Sequence, residues 1–363
     1  MAPSKSLSDL VSNARFAEEL GVHYGNGSLF DDRRWGKAGF DIYGDLYDDQ
    51  PYLEFHVSKL IEDSYSVKPR TYIHPRSATL ILRTLSKNAL RIKEDIGLHP
   101  GRKTRLHLPG FFRASEDREA IAPFIRGLVD IEGSLRLRKQ FRDRHYYPVL
   151  ECEMGDPPFI KALHSSILDL KVPVAFRRRT LRPVSRRTKA SFYTSGWNSI
   201  AVWLDRFGLV NPKHLSKLLV SEKYGFCPPH TSLDERLGII AGQLDPASFY
   251  ERRDGDAVAV PRYRYAHEAL VLRIASQPRV LSSLVHEMKT RGQLTEHVVS
   301  SLVRSDYLLM RESIAGVLIE TTSSGRDRLR NLYRAWMELK SKFNIAIPDN
   351  PFYCPAKFAK SVN

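Results

Sequence analysis

The chain repeats itself, and that repeat limits the folds open to it. In the second half a run of apolar residues at three- and four-residue steps (Ile121, Phe124, Ile125, Leu128, Val129) predicts a buried helix. It ends Asp130-Ile131-Glu132-Gly133 and passes into Ser134-Leu135-Arg136-Leu137-Arg138, which alternates as a strand. In the first half, Leu7, Leu10, Val11, Ala14, Ala17 and Leu20 predict a helix capped by Ser6 or Ser8. It ends Gly21-Val22-His23-Tyr24-Gly25-Asn26-Gly27 and again meets Ser-Leu. Each is followed by the same series. The first half reads as strand 39–43, helix 52–65, strands 69–74 and 78–82, and helix 87–96. The second reads as strand 147–154, helix 157–170, strands 174–179 and 190–195, and helix 197–207. From Gly27 to Lys103 is 76 residues, and from Gly133 to Lys213 is 80. Two copies of one αββαββα order predict an α+β, pseudo-symmetric duplication.

Ser115 or Asp117 can cap the second-half helix, but Pro123 belongs in a first turn and moves the start later. Gly127 is costly inside a helix unless something packs closely there. Glu132 stands at the helix C-terminus, where the dipole disfavours an anion. An acid placed so is a candidate metal ligand; the plain alternative is a solvated surface glutamate.

These residues carry a resemblance. Ile125 to Gly133, IRGLVDIEG, resembles the LAGLIDADG motif of homing endonucleases, and residues 20–27 resemble the archaeal form of that motif, which usually ends Gly-Asp-Gly. The likeness extends over roughly residues 7–226. It implies two αββαββα halves, 1–105 and 106–226, whose antiparallel sheets form a saddle over double-stranded DNA. It implies that Gly21 and Gly127 let the motif helices pack face to face, with Gly27 and Gly133 ending them. The acid before the last glycine would coordinate Mg²⁺ or Mn²⁺. Glu132 and Asn26 occupy those positions, and Asp130 and Tyr24 occupy the other acidic position. Lys103 and Lys213 would lie beside the metal as catalytic helpers; both could equally be ordinary surface lysines. Asn26 is where the chain departs from the motif: it is neutral and a poor ligand for a hard cation.

A formal net charge of +15 over 363 residues points to a polyanion. Nothing approaches the roughly 20 apolar residues of a membrane span, and Met1 to Asp9 has no signal-peptide apolar run. The excess is concentrated. Lys171 to Lys189 holds Arg177, Arg178, Arg179, Arg182, Arg186 and Arg187 and no acid. Arg136, Arg138 and Lys139, followed by Arg142 and Arg144, add a second basic strand and turn. Arginines on a hairpin can reach guanine edges in a major groove, with the rest holding phosphates. A solvated basic loop is the other reading. Cys152, Cys227 and Cys354 have no zinc spacing and form no full disulfide set, so a reducing cytoplasm is expected, nucleoid-associated in a prokaryote.

Residues 227–264 read as a linker. They contain a short helix at 233–243, a faint echo of the motif at Ile240 to Asp245 that we assign to chance, and a turn near Arg252. Helices are predicted at 267–276, 279–289 and 296–304, the last capped by Thr295 with His297, Ser300, Ser301 and Arg304 facing outward. A hairpin at 307–310 and 317–321 and a helix to about 342 follow, then a tail, 343–363. Region 265–342 resembles the winged helix-turn-helix of MarR-like regulators. That resemblance implies either DNA reading by the third helix or a protein-interaction domain.

Three functions remain open at this level. One is a DNA-binding regulator with absent or weak cleavage, favoured by Asn26 and by the C-terminal domain. Bacterial sporulation regulators that join a degenerate LAGLIDADG fold to a helix-turn-helix offer the analogy. The second is a metal-dependent endonuclease or nickase, and the third is an intron RNA maturase. One copy of each half implies a monomer, with dimerisation through the winged helix a further option.

Overall fold

The computed structural model describes residues 6–345, apart from 33, 35, 75–76, 102–105, 115–117, 141–142, 156, 181–187, 254–255, 261–263 and 289–291. Two compact units divide the chain, one of residues 1–73 and 79–217, the other of residues 74–78 and 218–363.

In the first unit the elements run α1 (Ala14–Asn26), β1 (Gly27–Asp32), β2 (Lys37–Asp45), α2 (Ser58–Tyr65), β3 (Arg70–Ile73), β4 (Thr79–Leu85) and α3 (Lys87–Asp95). A π-helical turn, Tyr52–Val57, leads into α2. After a short α4 (Gly110–Ala114) the series returns: α5 (Ala122–Glu132), β5 (Ser134–Arg138), β6 (Tyr147–Met154), α6 (Pro157–Asp169), β7 (Ala175–Thr180), β8 (Thr188–Ser195) and α7 (Trp197–Arg206). α8 (Pro212–Tyr224) follows, with the unit boundary after Lys217 inside it. The antiparallel sheets have the same strand order, β1-β2-β4-β3 and β5-β6-β8-β7. The fold is α+β and duplicated.

The two motif helices, α1 and α5, are the centre of this unit. A Cβ built on Gly21 would lie 2.0 Å from the Phe124 carbonyl oxygen, and one on Gly127 would lie 2.2 Å from the Glu18 carbonyl oxygen. The contacts are reciprocal, because an offset of 106 residues relates Gly21 to Gly127 and Glu18 to Phe124. The backbones touch, so any side chain at either glycine is excluded. At the far end Gly25 meets Ile131 and Glu132, so the helices run in the same direction and both release their chains at one end. Around this contact Phe16, Leu20, Val22, Phe124, Ile125, Leu128 and Val129 are buried.

One boundary differs from expectation. α1 begins after Asn13, whose side chain accepts from the Arg15 N–H at 2.8 Å; Ser6 and Ser8 precede it in a turn. Pro123 does sit in the first turn of α5, while Ser115 and Asp117 lie outside the described residues. No helix was expected at α8, although Asn211-Pro212 is a cap followed by proline at the first helical position.

The second unit contains α9 (Leu233–Ile240), the hairpin β9 (Tyr250–Arg253) and β10 (Asp256–Ala259), α10 (Arg264–Ile274), β11 (Arg279–Val280), α11 (Leu281–Met288), α12 (Gly292–Arg304), β12 (Leu308–Ser313), β13 (Gly316–Thr321) and α13 (Ser323–Phe343). A three-stranded sheet, β11-β13-β12, packs with α10, α11 and α12 around Val271, Leu272, Leu284, Val298, Leu302 and Ile319. A hairpin stands where only a turn near Arg252 was expected. Thr295 is no cap: α12 starts at Gly292, and Thr295 is buried within it. A two-residue strand occupies Arg279–Val280, the start of the helix expected from 279. α9 carries a capping box, Ser232 with Glu235, and is buried along its whole length. β9 does follow it, where no strand was expected after the motif echo at Ile240 to Asp245; the echo itself runs from the last residue of α9 through a turn that leads into a 3-10 turn at Pro246–Phe249. Tail residues 346–363, with Cys354, lie outside the described residues.

The helix contact gives a direct test. Gly21→Ala and Gly127→Ala should each lower unfolding free energy by about 3 kcal/mol or more, because the helices must separate to admit the methyl. Gly110→Ala, where an added Cβ meets nothing within 4 Å, should be close to neutral. Urea denaturation of the three variants decides it.

Candidate functional site

The parallel helix pair delivers two side chains to one end, Asn26 from α1 and Glu132 from α5. Both are partly exposed. Gly25 makes room for Glu132: a Cβ at Gly25 would lie 3.2 Å from the Glu132 Cβ. Glu132 also lies close enough to the buried Cys152 to act on its thiol. Burial first, then the Glu132 and Glu151 carboxylates, hold that thiol well above the usual range.

One residue before Ile131, the chain turns its acid inward. Asp130 is fully buried. Its carboxylate accepts from the Val210 N–H at 3.1 and 3.0 Å and from the Asn211 N–H at 3.0 Å. It therefore ties the end of α5 to the start of α8. Burial pushes its pKa up to about 7, against the pull of the Asn211 and Val210 N–H groups. Its pseudo-symmetric mate, Tyr24, does the converse. The Tyr24 hydroxyl donates to the His107 carbonyl at 3.0 Å, and the ring packs against Phe124 and Phe159. Asp130 and Tyr24 are thus braces for the segments that close each half.

Sequence reasoning missed a polar cluster beneath Glu132. Asn211 Nδ2 donates to Asp49 Oδ1 at 2.8 Å and to the Asp130 carbonyl at 2.9 Å. Lys213 Nζ lies 2.9 Å from Asp49 Oδ1 and donates to the Ile131 carbonyl at 3.0 Å. Lys213 does therefore reach the peptide next to Glu132, but as the partner of a buried aspartate from the first half. Nothing in the sequence pairs Asp49 with a residue 164 positions later; the available hint was the acidic Asp48-Asp49 before Pro51. Lys103 lies outside the described residues.

A divalent cation at the helix ends would find one carboxylate, Glu132, and one neutral carboxamide, Asn26. Hard cations are held chiefly by carboxylates. Among the described residues no group of three or more His, Cys, Asp or Glu side chains is placed to hold a metal ion. The donor set does not fit a tightly held divalent ion.

The sheets leave the same helix ends. In the second sheet Ser134, Arg136 and Arg138 alternate outward from β5, and the register puts Glu151, Glu153, Tyr193, Ser191, Lys189, Arg177 and Arg179 on that face. Glu151 is nearly buried at its centre and accepts from Arg136, Arg177 and, at 2.9 Å, the Ser191 hydroxyl. Lys189 pairs with Glu153 at 2.9 Å. Alternation sends the exposed Arg178 to the opposite face, and the exposed Lys139 lies just past β5. Arg142, Arg182, Arg186 and Arg187 lie outside the described residues. In the first sheet the equivalent of Glu151 is Asp41, buried and held by Arg83 through Nε at 2.8 Å and Nη2 at 2.7 Å.

Comparison with protein families and with curated proteins finds no match. Among solved structures the chain is similar to I-DmoI in complex with DNA and manganese: 14% identity over 55% of this chain and 97% of that one, TM-score 0.38. It is also similar to the LAGLIDADG homing endonuclease I-GzeII in complex with its DNA target: 10% identity over 57% and 91%, TM-score 0.34. The fold assignment rests on the repeated strand order and the helix contact. In the second unit, His297, Ser300 and Arg304 are exposed on α12 and Ser301 is partly so. On the adjoining hairpin Leu309, Met310 and Ile314 are exposed, and Arg311 faces Glu320 at 3.5 Å.

Asp130 supplies a pH signature. An acid whose folded pKa is raised binds its proton more tightly in the native state than in the unfolded one, so stability falls as pH rises between the two values. From an unfolded value near 3.9 to a folded value of about 7, about 3 kcal/mol should be lost between pH 5 and pH 8. Asp130→Asn has no such proton. Urea titrations at both pH values should show the wild-type advantage over Asp130→Asn shrinking by about that amount.

Proposed function

We propose that this chain is a double-stranded DNA-binding protein built on a LAGLIDADG scaffold, with absent or weak cleavage. The observation that carries the reading is the pair at the helix ends, Asn26 closing α1 and Glu132 closing α5, where the chain enters two sheets of identical topology. Metal-dependent phosphodiester hydrolysis places cations between acids so that both the attacking and the leaving oxygen are neutralised. One carboxylate and one carboxamide leave that arrangement half made. Lys213, the available helper, is already committed to Asp49 and the Ile131 carbonyl. The sheet face stays net positive even so: Arg136, Arg138, Arg177 and Arg179 stand on it, and Arg136 and Arg177, though bonded to Glu151, are nearly half exposed, in a chain of net charge +15. Such a surface holds phosphates and reads guanine edges.

For the second unit we propose a winged helix-turn-helix. The order α10, β11, α11, α12, β12, β13 supports it, with α12 entering a groove through His297, Ser300, Ser301 and Arg304. The hairpin is apolar at Leu309, Met310 and Ile314, which favours a protein contact there over a phosphate contact. The two units together suit a regulator that holds a specific DNA site.

The endonuclease or nickase remains the second reading, favoured by one observation: Glu132 is intact and partly exposed at the helix end. Its cofactor would be Mg²⁺ or Mn²⁺. The intron RNA maturase gains no support from a particular contact.

The experiment pairs binding with cleavage. Affinity for duplex DNA should fall steeply with salt, and Arg177→Ala should weaken it by about tenfold. Supercoiled plasmid incubated with Mg²⁺ or Mn²⁺ should remain supercoiled, and Glu132→Gln should bind as the wild type does. Metal-dependent nicking that disappears in Glu132→Gln would reverse the assignment in favour of the nuclease, and Asn26→Asp should then raise the rate.

A further inference from the structure

The two sheets share a topology but not a chemistry. Register and strand order relate them position by position. With Ser28 equivalent to Ser134 and Asp41 to Glu151, Phe30 stands where the second sheet has Arg136, and Asp32 stands in place of Arg138. Across the sheet Tyr72 takes the place of Arg177, and Thr79 that of Lys189. Four cation positions of the second sheet are thus aromatic, acidic or neutral in the first.

The remaining positions extend the contrast. Ile81 replaces Ser191, and Leu85 replaces Ser195. Tyr72 is 42% exposed and Leu85 41% exposed, large values for apolar side chains on an open sheet. Arg83 stands in the middle of the first face, but it is not a free reader. Two of its nitrogens are held by Asp41, and its guanidinium lies 5.3 Å from the Phe30 ring and 5.6 Å from that of Tyr72. Asp32 and Asp45 offset the other cations of that face. The first sheet therefore offers a nearly neutral surface of aromatic and aliphatic groups. The second gathers Arg136, Arg138 and Arg177, each nearly half exposed, around the buried Glu151; Arg136 and Arg177 each spend only Nη2 on it, and with Arg179 and Lys189 against Glu151 and Glu153 the face stays net positive.

A major groove presents different handles to these surfaces. Guanine shows N7 and O6, a pair of acceptors that a guanidinium meets with two hydrogen bonds; thymine shows a C5 methyl, which only an apolar contact rewards. We infer that the protein reads an asymmetric duplex, with guanines under the second sheet and thymine methyls under the first. The inference rests on the reading of both sheets as DNA-contacting surfaces. It assigns Arg136, Arg138 and Arg177 to one half-site and Phe30, Tyr72, Ile81 and Leu85 to the other.

The test uses the full chain and starts with selection of binding sites from a random duplex library. One half of the selected site should be enriched in guanine and the other in thymine. In the selected duplex, 2′-deoxyuridine in place of thymidine removes the C5 methyl and should weaken binding by about two- to fourfold per methyl in the thymine half. 7-Deazaguanine removes the N7 acceptor and should weaken binding by about tenfold in the guanine half. Each substitution should be silent in the other half. Tyr72→Arg, at an exposed position that need not disturb the core, should shift the base preferred beneath it from thymine to guanine. Tight binding to a site of equal composition in both halves, or affinities untouched by deoxyuridine, would overturn the inference and leave the DNA-binding reading standing. No binding to any selected duplex at low salt would overturn both.

Discussion

Everything in the first unit depends on two helix backbones in contact. Gly21 against the Phe124 carbonyl and Gly127 against the Glu18 carbonyl leave no space for a side chain on either helix. Backbones that close fix both the spacing and the direction of α1 and α5. Because each helix passes straight into the first strand of its sheet, that one contact also fixes where both sheets begin. Two further groups secure it. Glu18 on α1 accepts from Arg126 on α5, and on its other side from His56 at 2.7 Å. Burial would push the Glu18 carboxyl up, but the hydrogen bonds and charges of His56 and Arg126 hold it below its ordinary value.

The helix ends divide into buried and exposed positions. The two positions of the other motif acid both remain structural, through opposite chemistry: Asp130 accepts from backbone N–H groups, whereas Tyr24 donates to a backbone carbonyl. The closing segment of each half is therefore braced whether or not the position is ionisable. The outer pair, Asn26 and Glu132, is instead partly exposed. With a carboxamide at Asn26, the helix ends present one carboxylate, Glu132, rather than two.

Charge on the sheet faces follows the same division. Both halves bury an acid at the centre of the open face, Asp41 in one and Glu151 in the other, and both neutralise it with arginine. Beyond that shared centre the faces diverge, since outward positions on a strand bear no packing constraint. A duplicated fold can thus carry two different surfaces while its core stays symmetric.

The duplication, the helix-to-strand junctions and the fold class were legible in the sequence, since hydrophobic period and glycine position are local properties. So was the neutral Asn26. The outward set on α12 was legible for the same reason, although its cap was not: Gly292 begins the helix earlier, and burial turned Thr295 from a cap into a core residue. What the sequence could not show were pairings that depend on distance. Asp49 with Asn211 and Lys213, Asp130 with the start of α8, and the register that matches Phe30 to Arg136 join residues far apart in the chain. Sequence alone determined the repeat and the composition of each strand, because those follow from spacing within a few residues. Only tertiary structure decided which lysine is spent on a buried aspartate and which arginines share a face, because hydrogen bonds and strand register are set by how the two halves close on the helix pair.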